Sequence, residues 1–149
     1  MDISKLSKAE LIKNNEKLVQ EFLIKQGYEV IKVLGDKVQT KYKIYKDNQN
    51  YTIKVMGYRY NDKARGNYAW VKKQNFELEE YDFLYFVLYY FDKTHILKIP
   101  TEVFKRPCRD KSAFKSHDYW NKKTAPEYGI AIKKDTICEL LQYEEKILQ

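Results

Sequence analysis

The sequence predicts a mixed α/β (α+β) fold, with a central mixed sheet that contains an antiparallel meander and is flanked by an N-terminal and a C-terminal helix. Three observations support this prediction. A capped amphipathic segment opens the chain, several segments of alternating apolar and polar residues follow it, and a very apolar segment of strand length lies in the middle. The 149 residues fit one domain of about 100–200 residues, so a single domain over 1–149 is expected.

The first predicted element is a helix over residues 8–26. Ser7 and Glu10 have the spacing of a capping box, in which each side chain accepts a hydrogen bond from the other residue's backbone amide. Apolar residues at helical spacing follow, and Gly27 is a suitable residue to end the helix.

An antiparallel meander is predicted after this helix. Residues 28–34, 38–46 and 51–60 are rich in β-branched and aromatic residues and are joined by turn-forming residues at 35–37 and 47–50. The elements expected next are a loop at 61–67, a strand at 68–72, a turn or short helical piece at 74–80, a central strand at 81–91, its hairpin partner at 95–99 and a helical turn at 101–105.

The C-terminal third begins with a strongly basic loop over 106–127, which has no clean periodicity. Loops of this length in compact domains are usually functional or mobile. A last strand is expected over 128–134. Asp135 or Thr136 would then cap a final helix whose apolar face runs from Ile137 to Leu148, so that a strand and a helix make up residues 128–149.

Charge and cysteine content indicate which kinds of partner and site to expect in this protein. The chain has 28 Lys and Arg residues against 21 Asp and Glu residues, a net charge of +7, which favours association with a polyanion but also simply aids solubility. Cys108 and Cys138 form no C-x-x-C pair, so a structural zinc site is not expected. The absence of a targeting segment or long apolar run predicts a cytoplasmic protein without membrane contact.

Four stretches within residues 8–104 carry a resemblance to a known family: the helix containing Glu16 with the Gly27–Ile31 segment after it, the hairpin Val38–Met56, the region from Trp70 to Val87, and Ile96–Pro100 followed by Val103 and Phe104. In this order they resemble the PD-(D/E)XK nuclease superfamily. The resemblance implies a restriction-endonuclease-like fold and a partner among the nucleic acids.

The catalytic motif of that superfamily is altered in this chain. Active members carry an Asp on the first strand of the hairpin and Glu or Gln, one residue, then Lys on the second. The carboxylates hold a Mg²⁺ ion that activates water, and the Lys assists. Here the second strand reads Ile53-Lys54-Val55-Met56, and no acid stands at Thr40–Tyr42. The resemblance therefore implies a degenerate motif, with no metal and no cofactor.

A second alignment of the motif allows for an active catalytic centre. Gln39-Thr40-Lys41 is itself a Q-x-K sequence, and Glu29 and Glu16 could supply carboxylates to Mg²⁺ beside it. The alternative interpretation is that Gln39, Lys41 and Glu29 are solvent-facing strand residues. The alternative is favoured, because a short Q-x-K has low specificity.

Cations interleave with aromatic residues in two segments. Lys and Arg can contact phosphates while aromatic rings stack on bases. The ordinary alternatives are a solvated hairpin end and a loop that aromatic residues hold against the core. The candidate nucleic-acid-binding residues are Lys54, Tyr58, Arg59, Tyr60, Arg65, Arg106, Arg109, Lys111, Lys115 and Trp120.

The leading hypothesis is a nucleic-acid-binding protein with an incomplete nuclease centre, and DNA is favoured as its partner. A second hypothesis is a protein-interaction module, such as an inhibitor, adaptor or immunity-type partner of a nuclease or other nucleic-acid enzyme. A third is an active Mg²⁺-dependent nuclease that uses Glu16, Glu29, Gln39 and Lys41.

Overall fold

The computed structural model describes residues 2–34, 40–106, 111–118 and 125–148. Their helices and strands are α1 (Lys8–Lys25), β1 (Glu29–Lys32), β2 (Lys41–Lys46), β3 (Gln49–Arg59), β4 (Tyr68–Lys72), β5 (Phe83–Tyr90), β6 (Lys93–Pro100), β7 (Phe114–His117), β8 (Glu127–Ala131), α2 (Ile137–Leu141) and β9 (Glu144–Leu148). Four short 3-10 turns lie at Ile3–Lys5, Lys73–Asn75, Leu78–Glu80 and Thr101–Lys105. Among the helices in these ranges, none combines the length and the apolar character that a membrane span requires.

The strands form two sheets. The large sheet has the order β1-β2-β3-β5-β6-β9, with β3 and β5 parallel and every other pair antiparallel. The small sheet has the antiparallel order β4-β8-β7. The mixed α+β class, the central mixed sheet and the meander formed by β1, β2 and β3 confirm the predicted fold class.

Each face of the large sheet covers its own core. On one face α1 packs Val19 and Leu23 against side chains of β2, β3 and β5. On the other face the small sheet and α2 pack against β5 and β6, with Phe86, Leu97 and Ile130 fully buried. Because side chains alternate along a strand, neighbouring residues on β2 or β3 belong to different faces.

The helix α1 follows the prediction closely. The Ser7 hydroxyl accepts a hydrogen bond from the Glu10 amide at 3.2 Å, and the Glu10 carboxylate accepts one from the Ser7 amide at 3.0 Å. Gly27 after the helix has φ +94°, which a residue without a Cβ adopts at little cost. The capping box and the helix are confirmed.

The prediction of a helix reaching Leu148 was wrong. The helix α2 ends at Leu141, and Glu144–Leu148 is instead β9 at the edge of the large sheet. The backbone amide of Lys98 donates to Tyr143 O at 2.8 Å, and Glu144 hydrogen-bonds His95 Nδ1 across the two strands. Pairing with β6 satisfies backbone groups that a longer helix would leave unpaired at this edge, and it overrides the local helical spacing.

The basic segment 106–127 is not wholly irregular, because Phe114–His117 forms β7 within it. Arg109 and Trp120 of this segment lie outside the described residues, as does Gln39 before β2. No periodicity predicted β7, since a four-residue strand is too short to establish one.

Candidate nucleic-acid interface

A cleft of about 590 Å³ lies where α1 and β4 approach β3 from its two faces. The strand β2 begins at Lys41, opposite Lys54, so the last five residues of β3 extend beyond β2. We call this space the α1–β3 cleft. Its described lining residues are Lys8, Leu11, Ile12, Asn15, Thr40, the six residues from Lys54 to Arg59, Asn61, Ala64, Trp70 and Val71.

The described lining of the α1–β3 cleft carries positive charge only. Its charged residues are Lys8, Lys54 and Arg59, and it includes no Asp or Glu. Cations gathered in a concave site with apolar walls raise the local concentration of an anionic ligand. The cleft is therefore suited to phosphate groups.

Lys54 lies at the floor of the cleft. It is 2% exposed, its ammonium donates to Thr40 Oγ1 at 3.1 Å, and it stands 5.9 Å from the centroid of the Phe76 ring. A buried ammonium retains its charge only where polar groups surround it. Lys54 thus places its amino group at the base of the cleft beside a hydroxyl and an aromatic ring, whereas Lys8 is exposed at the rim.

Arg59 joins the cleft to the N-terminus. Its Nη1 donates to the carbonyl oxygens of Ile3 at 2.6 Å and Leu6 at 3.0 Å. These hydrogen bonds hold the first turn of the chain against the end of β3. Arg59 thus belongs to the cleft lining, while its guanidinium has a structural role at the N-terminus.

Tyr58 supports the loop that follows β3. Its hydroxyl donates to Asn67 Oδ1 at 3.0 Å, and burial raises the pKa of this phenol, so it stays protonated as a donor. Asn67 also accepts from the Asn61 amide at 2.9 Å and donates to Asn61 O at 2.9 Å. The exposed Arg65 lies on this loop, close to Ala64 at the cleft wall.

The remaining predicted contacts lie elsewhere. Tyr60 is stacked on Tyr90 with 4.7 Å between ring centroids, outside the cleft lining. Arg106 and Lys111 are exposed, and Lys115 is on β7 of the small sheet. The structure thus gathers Lys54, Tyr58 and Arg59 in one site, apart from the other four residues. The two remaining candidates, Arg109 and Trp120, lie outside the described residues.

The alternative catalytic set is divided between the two faces of the large sheet. The Glu16 carboxylate accepts hydrogen bonds from Lys32 Nζ at 3.0 Å and the Tyr42 hydroxyl at 2.8 Å on the α1 face. Lys41 is adjacent to Tyr42 on β2 and faces the other way, with its ammonium 3.7 Å from Glu80 Oε2. The structure therefore does not bring Glu16 together with Lys41.

Glu29, the other acid of that set, is exposed and pairs with Tyr45, which places it on the Lys41 face. Gln39 lies outside the described residues. Among the residues that the structure describes, no group of three or more His, Cys, Asp or Glu side chains is arranged to hold a metal ion.

Sequence reasoning missed Lys8, Asn15 and Trp70 as parts of this site. Trp70 could have been found from the alternation in Tyr68-Ala69-Trp70-Val71, which sends the two large aromatic side chains to the same face of β4. Lys8 and Asn15 gave no such signal, because only the packing of α1 on β3 brings them to the cleft.

Comparisons with known proteins support the nuclease-like fold. No family model matches this chain, and no curated protein matches it in sequence. The structure is similar to that of the bacterial homing endonuclease I-Ssp6803I, with a TM-score of 0.57 over 93% of this chain and 87% of the other, at 14% sequence identity. The structure of MepB matches with a TM-score of 0.42 and 10% identity, over 96% of this chain and 97% of the other. The chain has a mixed α+β, nuclease-like fold.

Proposed function

We propose that this protein binds nucleic acid, with DNA as the favoured partner, in the α1–β3 cleft. One observation carries the proposal: all three charged residues in the described lining are cations. Contacts from Lys and Arg to phosphates supply most of the affinity of sequence-independent binding and release condensed counterions. The structure is similar to that of a homing endonuclease, whose name describes an enzyme that acts on nucleic acid, and this similarity agrees with the proposed ligand.

The three cations would have different roles. Lys8 is exposed at the first position of α1, where the partial positive charge of the helix end adds to its own, so it would contact a phosphate directly. Lys54 would attract the backbone from the cleft floor. Arg59 would use the guanidinium donors that do not bind the Ile3 and Leu6 carbonyls.

In this proposal the protein binds nucleic acid and does not cleave it with a metal ion. Lys54 stands on β3 at the position where the PD-(D/E)XK resemblance places an acidic or amide residue, and a lysine there offers no oxygen ligand to Mg²⁺. Glu16 and Lys41 point to opposite faces of the sheet, which argues against a centre built from that set. The protein accordingly requires no cofactor, and Mg²⁺ would matter only for a cleaving enzyme.

Fluorescence anisotropy of labelled single- and double-stranded DNA and RNA tests the proposal, at two salt concentrations and with or without Mg²⁺. We expect binding that weakens steeply with salt and leaves the probe intact in Mg²⁺. Loss of full-length probe only with Mg²⁺ would replace the proposal with an active nuclease. The absence of binding at low salt would overturn it and favour a protein partner.

A further inference from the structure

The outer face of the small sheet carries a row of aromatic rings that the proposed function does not use. Tyr68 and Trp70 lie on this face of β4, with ring centroids 5.6 Å apart and planes at 16°. His117 of β7 continues the row, 5.2 Å from the Trp70 ring. We call Tyr68, Trp70 and His117 the aromatic row.

A glycine on the middle strand makes room for this row. Gly129 of β8 pairs with Trp70, and a Cβ added to it would be 2.3 Å from Trp70 Cζ3. The indole therefore lies across β8 and reaches His117 on the far strand. Any side chain at position 129 would have to displace the Trp70 ring.

The core does not account for the outward position of these rings. Tyr68 is 40% exposed and Trp70 is 42% exposed, while Ala69 between them is buried in the core. Large aromatic side chains with exposed faces are enriched at binding surfaces, because burying them against a ligand stabilises the complex.

The surroundings of the row indicate the ligand. Lys72 and Lys115 share the outer face with the rings, together with the carboxylate of Glu127. Trp70 also lines the α1–β3 cleft, so the row continues directly from the cationic site. Planar exposed rings beside cations match the bases and phosphates of an unpaired strand, since every base has a π-face.

We infer that the aromatic row is a stacking surface for unpaired bases of a single-stranded segment whose phosphates extend into the α1–β3 cleft. This inference rests on the proposed function and specifies its substrate class. Duplex DNA keeps its bases stacked inside the helix, so it can reach the cleft cations without engaging Tyr68.

Tyr68 provides the test variant, because it belongs to the row but not to the described cleft lining. The probes are a single-stranded oligonucleotide, its abasic analogue and a blunt duplex, measured by anisotropy at one salt concentration. We expect Tyr68→Ala to weaken binding of the single strand about 5- to 150-fold, the range for one stacked base, and Tyr68→Phe to retain it. The abasic strand and the duplex should change by less than about twofold.

Two further variants keep the inference falsifiable. Trp70→Ala should weaken the single strand more than the duplex, and Gly129→Ala should do so by displacing the indole while the ring itself is kept. If the wild-type protein binds the duplex but Tyr68→Ala and Trp70→Ala leave single-strand affinity unchanged, the inference alone is overturned. If the wild-type protein binds no probe, the proposed function is overturned and the inference with it.

Discussion

The carboxamide of Asn15 occupies the space into which a side chain at Gly57 would project. A Cβ added to Gly57 would lie 2.4 Å from Asn15 Nδ2. Asn15 is buried, and its Oδ1 accepts a hydrogen bond from the Tyr89 hydroxyl at 2.6 Å. A glycine within a strand weakens that strand, and here it permits the close approach of α1 that forms one wall of the cleft.

Gly57→Ala should therefore destabilise the fold. The added methyl group must push Asn15 and α1 away from β3, and overpacking of this kind costs about 1–3 kcal/mol. Urea unfolding followed by circular dichroism measures the change. Combining Gly57→Ala with Asn15→Ala removes the clash, so the double variant should lose less free energy than the sum of the two single changes. Unchanged stability of Gly57→Ala would contradict this account.

Arg59 should stabilise the N-terminal turn. Arg59→Met removes the donors to the Ile3 and Leu6 carbonyls, and hydrogen bonds from a charged group contribute about 1.5–3 kcal/mol. We expect lower stability in urea and faster hydrogen exchange at the Leu6 amide, which donates to Ile3 O within this turn. Arg65→Met, in the exposed loop, is the matched control and should change neither quantity. Equal exchange rates in the wild type and Arg59→Met would show that the contact does not hold the turn.

Replacing Lys54 should separate stability from binding. A buried cation contributes little net stability, so Lys54→Met, which keeps the side-chain volume, should unfold at the same urea concentration or a higher one. The same variant should bind nucleic acid more weakly, because the cleft floor loses its charge. A loss of several kcal/mol on Lys54→Met, with affinity intact, would assign Lys54 to the core alone.

Buried tyrosines should make the fold sensitive to alkali. Burial, followed by the hydrogen bond to Glu16, raises the pKa of Tyr42 above its ordinary value of 10.0, and burial also raises that of Tyr85. Folding therefore favours the protonated phenols, and this contribution is complete below pH 10 and is lost as the pH rises towards the folded-state pKa.

The measurement is the free energy of unfolding in urea from pH 8 to 12, with phenolate absorbance recorded in parallel. Tyr42 and Tyr85 should ionise only as the protein unfolds, and Tyr42→Phe should remove one late-titrating phenol. Constant stability throughout this pH range would refute the prediction.

Local patterns predicted much of this fold. The Ser7–Glu10 capping box depends on neighbouring residues, and the meander shows in alternating side chains, so both are visible in the sequence. β7 and β9 were missed because each is short and forms through pairing with a partner strand rather than through its own pattern. The apolar residues of Glu144–Leu148 continue the helical spacing, but this segment forms a strand because it pairs with the edge of β6.

The site was predictable only where its residues are close together in the sequence. Lys54, Tyr58 and Arg59 are close in sequence, and the structure places all three in the cleft lining. Lys8 and Trp70 come from α1 and β4, and no local pattern indicates that these elements enclose β3. The carbonyl partners of Arg59 depend on the path of the N-terminus, which the sequence does not specify.

The most direct test of the cationic cleft is the salt dependence of duplex DNA binding in the wild type, Lys8→Ala and Lys17→Ala. Both lysines are exposed on α1, but only Lys8 lines the cleft. Each phosphate contact contributes about 0.9 to the slope of log affinity against log salt. We predict a steep wild-type slope that falls by about 1 in Lys8→Ala and is unchanged in Lys17→Ala. A flat wild-type response, or equal slopes in all three proteins, would contradict binding of phosphates in the α1–β3 cleft.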